Sequence, residues 1–211
     1  MALVYESWLC TASAGVAMCF VLDEDDEANY PRIEGAEYLI APASGRRGMC
    51  DPTNYAARIL AERCDAIFWM GDDHRFGSAN WLEEFQKALD AMGGSGFVYG
   101  DDGIVGEEVP TACLVTTDII RALGHLCWPE LQHLFIDNYW KELGTAIGRI
   151  AYLPHVKIPH EHWTVGKAPD DLTYQEAANR GVFEADQRVF ERWKAEYKDE
   201  EVRKILRALG D

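Results

Sequence analysis

A chain of 211 residues, 48% of them hydrophobic, suits one α/β domain with a tail better than two full domains, and it can build a sizeable core. Lys plus Arg number 20 against 36 Asp plus Glu, a formal charge of −16, so phosphate backbones repel the chain and nucleic acid is disfavoured as a bulk partner, though not as a local acceptor. The six cysteines form no CxxC pair and fit neither a zinc ribbon nor a secreted disulfide scaffold. With no apolar run of membrane-spanning length and no signal-peptide pattern, they point to reduced core thiols in a soluble, cytoplasmic protein.

Met1 to Ala14 is helix-compatible, with Val4, Trp8 and Ala12 along one face and Gly15 as a stop. Val16 to Leu22 reads as a buried strand ending at Asp23-Glu24-Asp25-Asp26. The chain thus opens with a helix leading into a parallel strand, where a βαβ unit would place a strand ahead of that helix. Glu37 to Ala41 is a second short strand, and it runs into a glycine loop carrying Arg46 and Arg47. Asp51-Pro52 reads as a helix start, the carboxylate as N-cap, with Tyr55, Ile59 and Leu60 on the buried face.

Ala66 to Gly71 is apolar throughout, the pattern of a central strand buried on both faces, and it stops abruptly at Asp72-Asp73-His74. Ser78 is expected to cap a helix with Leu82, Phe85, Leu89 and Met92 at helical spacing, closed by Gly93-Gly94. Gly96 to Gly100 is a strand stopping at Asp101-Asp102, and Thr111 to Thr116 another. Thr117 caps a short helix closed by Gly124. Glu130 to Leu143 is helix-like up to Gly144 and contains Asp137. Ile150 to Leu153 and Val156 to Ile158 read as a hairpin-like pair leading into Pro159-His160-Glu161-His162.

From Thr173 the chain is amphipathic and highly charged. A Thr173-x-x-Glu176 capping box opens it, and Phe183, Val189, Phe190, Trp193, Ile205 and Leu206 form an apolar stripe. One or two helices packed outside the sheet are expected, their charges forming a solvated face. A partner-binding helix is the competing reading.

Four polar clusters lie at strand ends: Asp23 to Asp26, Asp72 to His74, Asp101-Asp102, and His160 to His162. Along a predominantly parallel sheet they should collect on the carboxyl edge and build one site. If the extended conformation persists past Gly71, Asp72 and His74 project to the same side, half of a divalent-metal site, although a polar turn explains the same residues. His160 and His162 repeat that spacing, so either can supply a further ligand. A metal so held suits a diphosphate leaving group, which Arg46 and Arg47 would support. Asp137 is a candidate general base, or a surface helical carboxylate. Trp128, Trp140 and Trp163 either stack on sugar faces or pack the core.

The runs Phe20 to Asp26, Phe68 to His74, Ile136 to Trp140 and Ala151 to His162 resemble a small GT-A-type glycosyltransferase, related to family 2 and of a kind often encoded by bacteriophages and actinobacteria. The resemblance covers roughly Tyr5 to Trp163. It implies an α/β fold with a Rossmann-like, mostly parallel sheet flanked by helices, as a domain over 1–168, and leaves the tail unexplained; the amphipathic pattern makes 169–211 a C-terminal helical extension, a candidate surface for homo-oligomerisation.

It further implies that Asp23, with Asp25, reads the nucleotide base, and that Asp72 and His74 form a DxH motif holding Mn²⁺ or Mg²⁺ on the donor diphosphate. Asp73 would add a contact, with Asp101 and Asp102 at the same edge, and His160 or His162 would complete the metal shell. Asp137 would be the base of an inverting transfer, in a motif reading Ile-Asp where the family has Glu-Asp. Partners are then a nucleotide-diphosphate sugar and a hydroxyl acceptor (a glycan, a protein or modified DNA), in the host cytoplasm if phage-encoded. Family members begin with a strand and loop ahead of the first helix here. The resemblance therefore describes an amino-terminally truncated domain, one whose gap another subunit or the tail fills, or a copy that binds nucleotide sugars without turnover. A sugar-phosphate nucleotidyltransferase and a Zn²⁺ hydrolase are the other enzyme readings.

Overall fold

The computed structural model describes residues 1–11, 14–43, 45, 48–161 and 180–210. The apolar runs do form strands, but in two sheets. After helix α1 (Ala2–Thr11), strands β1 (Cys19–Asp23) and β2 (Glu37–Ala41) pair in parallel. Helix α2 (Cys50–Leu60) leads to β3 (Ala66–Trp69), and α3 (Trp81–Ala91) to β4 (Phe97–Asp101) and β5 (Cys113–Thr116). Then come α4 (Thr117–Leu123), α5 (Ile136–Ala146), β6 (Ile150–Lys157), α6 (Arg180–Glu196) and α7 (Lys198–Leu209).

The second sheet has the order β3-β5-β4-β6. β4 and β6 are parallel, whereas β5 runs against both β3 and β4. The class is α/β as expected, but this four-stranded sheet is mixed. The reason is local: no helix lies between β4 and β5, and a parallel return needs a crossover of about a dozen residues or more, usually helical. β6 is a single strand, not a hairpin-like pair, with a register shift against β4 at Gly100/Asp101.

Several expected caps have other employment. α2 starts at Cys50, so Asp51 sits inside its first turn, and the face it buries is Cys50, Thr53, Asn54, Ala56 and Ala57. Asn54 explains that polar choice: its Oδ1 accepts the N–H groups of Leu126 and Cys127, and its amide donates to the Cys127 carbonyl at 2.8 Å. The Ser78 hydroxyl accepts the Lys157 N–H at 2.8 Å, and the Thr117 hydroxyl donates to the carbonyls of Cys64 and Asp65. α5 begins only after Phe135, whose φ is +64°, and runs through Gly144. A Cβ at Gly144 would stand 2.8 Å from the Ile150 Cβ and 3.0 Å from the Phe97 ring, so glycine lets α5 lie against the sheet.

Strand alternation divides the core. Phe97, Cys113 and Val115 face α4, α5 and the C-terminal helices, while Val98 and Leu114 face α1 and α3. Phe190, Trp193 and Ile205 of the tail belong to the first of these cores. Two tail charges are buried as well, against the expectation of a wholly solvated face. Asp186 accepts the N–H groups of Gln132, His133 and Leu134, and Glu201 accepts from Tyr139 and Trp193 and pairs with His125 at 2.8 Å. Of the thiols, Cys50, Cys113 and Cys127 are buried, and Cys10 and Cys64 are exposed. Among the described residues no helix is long and apolar enough to cross a membrane.

Candidate metal centre

Beyond Trp69 the chain leaves β3 through a turn closed by the His74 N–H on the Gly71 carbonyl. It then pairs with the segment that follows β6. The Arg75 N–H bonds the Pro159 carbonyl, the Glu161 N–H the Asp73 carbonyl, and the Gly77 N–H the Lys157 carbonyl, with His74 opposite His160. The other side of this segment reaches the end of β4, where the His160 N–H bonds the Asp102 carbonyl at 2.9 Å. Three strand ends are thereby tied into one small region.

The side chains that meet there are Asp73, His74 and His160. One oxygen of Asp73 lies 3.2 Å from His74 Nδ1 and the other 3.0 Å from His160 Nε2. The two imidazoles stack with centroids 4.0 Å apart, and a donor atom from each of the three residues lies within 4.8 Å of the others. His74 is 2% exposed. That burial pushes its imidazole below its ordinary value, against the pull of Asp73, so it stands neutral with a lone pair to offer.

Asp102, 5% exposed, braces the region. Its Oδ1 accepts the N–H groups of Ile104, Val105 and Gly106, and its Oδ2 accepts the Thr111 hydroxyl at 3.0 Å. Thr111 Oγ1 is in turn 3.4 Å from His74 Nε2, and Asp102 Oδ2 is 4.0 Å from His160 Nδ1. Asp137, in the first turn of α5, senses the charges of His160 and Asp102, and burial pushes its carboxyl above the ordinary range.

Not every residue singled out from the sequence joins this group. Asp72, expected beside His74, has a side chain 62% exposed and instead pairs with the Met1 ammonium at 2.9 Å. The turn at Gly71 ends the two-residue alternation on which that expectation rested, and it brings Asp73 beside His74 in its place. Asp101 is held by Lys157 at 2.6 Å, and this lysine keeps its carboxyl below the ordinary range. Asp23 and Asp25 lie with Asp72 on the wall of a cavity of about 1890 Å³ between the two sheets. Burial, then Asp25, Asp26 and Asp51, push the Asp23 carboxyl up. Arg46, Arg47 and His162, with Trp163 and the Thr173 capping box, lie outside the described residues. Trp128 and Trp140 pack in the first core.

Thr111 and the bracing role of Asp102 escaped the sequence reading. Asp102-Gly103 carried a usable signal, since an aspartate before glycine commonly accepts backbone N–H groups in a turn. No protein-family model matches the chain, and searches of curated proteins and of solved structures likewise find no match.

Proposed function

We propose that the chain is a metal-dependent glycosyltransferase of GT-A architecture, moving a sugar from a nucleotide-diphosphate sugar to a hydroxyl acceptor. The observation that carries this reading is the gathering of Asp73, His74 and His160 from the ends of β3 and β6, with Asp102 from the end of β4. Open α/β sheets place their ligand sites at this edge.

One carboxylate and two imidazoles, one of them buried and neutral, fit a divalent cation of the Mn²⁺ class better than Ca²⁺. Mn²⁺ or Mg²⁺ at Asp73, His74 and His160 would neutralise charge on the leaving diphosphate. Asp102 and Thr111 fix the imidazoles from behind. Asp137, its proton affinity raised by burial, is poised to take the acceptor hydroxyl proton. Asp23 and Asp25, on the wall of the neighbouring cavity, would meet the nucleoside.

The same donor set suits a Zn²⁺ hydrolase, which would act without a sugar donor. Calorimetric titration with UDP, GDP, TDP and ADP, with and without Mn²⁺, tests the transferase. Binding of one diphosphate that requires Mn²⁺, vanishes in Asp73→Ala and persists in Asp72→Ala is the expected result. Absence of Mn²⁺-dependent binding across the panel refutes it.

A further inference from the structure

Position 201 is one where an apolar side chain would serve α7 best. Glu201 stands four residues before the buried Ile205, so the two share the face that α7 turns to the first core, with Val202, Leu206 and Leu209 packed beside them. It is nonetheless an almost wholly buried carboxylate, and such a group is costly unless partners surround it. They do surround it. The Tyr139 hydroxyl donates to Oε2 at 3.0 Å and the Trp193 indole N–H to the same oxygen at 2.8 Å, while Oε1 lies 2.8 Å from His125 Nε2. An ionised carboxylate only accepts, so His125 carries a proton on Nε2, within 3.0 Å of the Tyr139 oxygen as well. Burial, then the Glu201 charge, pushes the Tyr139 phenol well up, which keeps it a donor.

A buried charge is a poor device for stability alone, since leucine would hold α7 to the core without the desolvation cost. What the cluster supplies is direction. Tyr139 of α5 is fully buried and meets Trp193 of α6 edge-on at 4.7 Å. On the next turn of α5, Glu142 pairs with Lys198 at 3.0 Å and Lys194 at 3.5 Å. Ahead of α5, Asp186 holds the Leu134 N–H at 2.8 Å. The tail thus grips α5 and its approach at Leu134, Tyr139 and Glu142, and Asp137 lies between the first two of these points.

Two residues along a helix are about 200° apart around it, so Tyr139 faces the tail while Asp137 faces the other way, where it senses His160 and Asp102. A rotation of α5 that freed Tyr139 would therefore swing Asp137. At a side-chain radius of about 5–6 Å, about 10° of rotation moves the carboxyl by about 1 Å. A misplacement of that size costs about a hundredfold in rate.

We propose that Glu201 is a positioning residue for Asp137: acting through Tyr139, it fixes the rotation of α5 about its axis, which makes the C-terminal helices a working part of the candidate site. The catalytic consequence rests on Asp137 being the base of the proposed transfer.

The test compares Glu201→Leu, Glu201→Gln and Tyr139→Phe in the full chain, with kcat expressed per folded molecule and hydrogen exchange measured alongside. Glu201→Leu is expected to lower kcat by about 10–100-fold at unchanged donor KM, and glutamine, which keeps an acceptor for Tyr139, to restore most of it. Tyr139→Phe leaves Glu201 with Trp193 and His125, so it folds even where the leucine variant does not, and it is expected to lower kcat in the same way. In both the leucine and phenylalanine variants the amides of residues 139–146 should exchange about tenfold or more faster relative to those of β4. A role in stability alone would reduce the folded fraction and leave kcat per folded molecule at the wild-type value; that result, or a raised KM at unchanged kcat, overturns the proposal. If the wild-type chain transfers no sugar, the transferase reading fails, and exchange in α5 decides by itself: acceleration upholds the grip of Glu201 on α5, and unchanged exchange overturns it.

Discussion

Replacing Asp186 by alanine tests how α6 holds the ground beneath the candidate base. Its carboxylate, 2% exposed, accepts three backbone N–H groups, those of Gln132 and His133 at 2.9 Å and Leu134 at 2.8 Å. The next residue, Phe135, takes a left-handed φ of +64° and starts α5, the helix bearing Asp137. A hydrogen bond to a charged group contributes about 1.5–3 kcal/mol net, so three give a raw sum of about 5–9 kcal/mol. The three share one group, and deleting it also removes the cost of burying a charge, so a smaller net loss is expected. Relief of the strain of about 1–3 kcal/mol that a non-glycine residue bears at positive φ trims the loss further, and about 3–5 kcal/mol, above the common range for single substitutions, is expected. Asp186→Asn retains one acceptor oxygen and should lose about 2–3 kcal/mol. Urea unfolding without metal measures both, with the slope unchanged if the denatured state is unaffected. A loss below about 1 kcal/mol for the alanine variant would mean that the loop satisfies its own N–H groups, and the clamp would be refuted.

Asp102→Asn should weaken Mn²⁺ binding by about 10–100-fold, because the imidazoles lose their brace; calorimetric affinity equal to wild type would contradict this. Asp137→Asn should abolish sugar transfer while stabilising the fold as pH rises. The folded carboxyl has a raised pKa, so its stability contribution is intact at low pH and is lost as pH climbs from the ordinary carboxyl range through the raised value, a loss asparagine does not suffer. The gap in Tm between variant and wild type should therefore open upward in pH, and a gap independent of pH would refute the burial. Gly144→Ala should cost about 1–3 kcal/mol in urea unfolding, since its Cβ meets Ile150 and Phe97; a neutral result would show that α5 slides freely on the sheet.

Much of the framework was legible because apolar periodicity is a local signal. The uninterrupted runs at Ala66 and Gly96 announced strands, and Gly124, at φ +82°, does close α4. What escaped depends on contacts far along the chain. Ser78 and Thr117 have the chemistry of helix caps, but their hydroxyls serve β6 and the approach to β3. Glu201 reads as one more surface acid until Tyr139, Trp193 and His125 close round it. The edge that gathers the candidate ligands was foreseeable from where the polar clusters fall. The choice of Asp73 over Asp72 was not, because it turns on one hydrogen bond, from the His74 N–H to Gly71, that breaks the alternation.

The pairing of the segment after β3 with the segment after β6 has a consequence for biosynthesis. Asp73 and His160 are 87 positions apart, and no shorter piece of chain brings them together. Contacts of such sequence separation form late, after the entropy of closing a long loop has been overcome. A nascent chain still lacking β6 exposes Asp73 and His74 but has no second imidazole to chelate with. On the metal reading proposed above, uptake of the ion would therefore wait for β6 to dock, and its capture would report closure of the four-stranded sheet while α6 and α7 are still to follow.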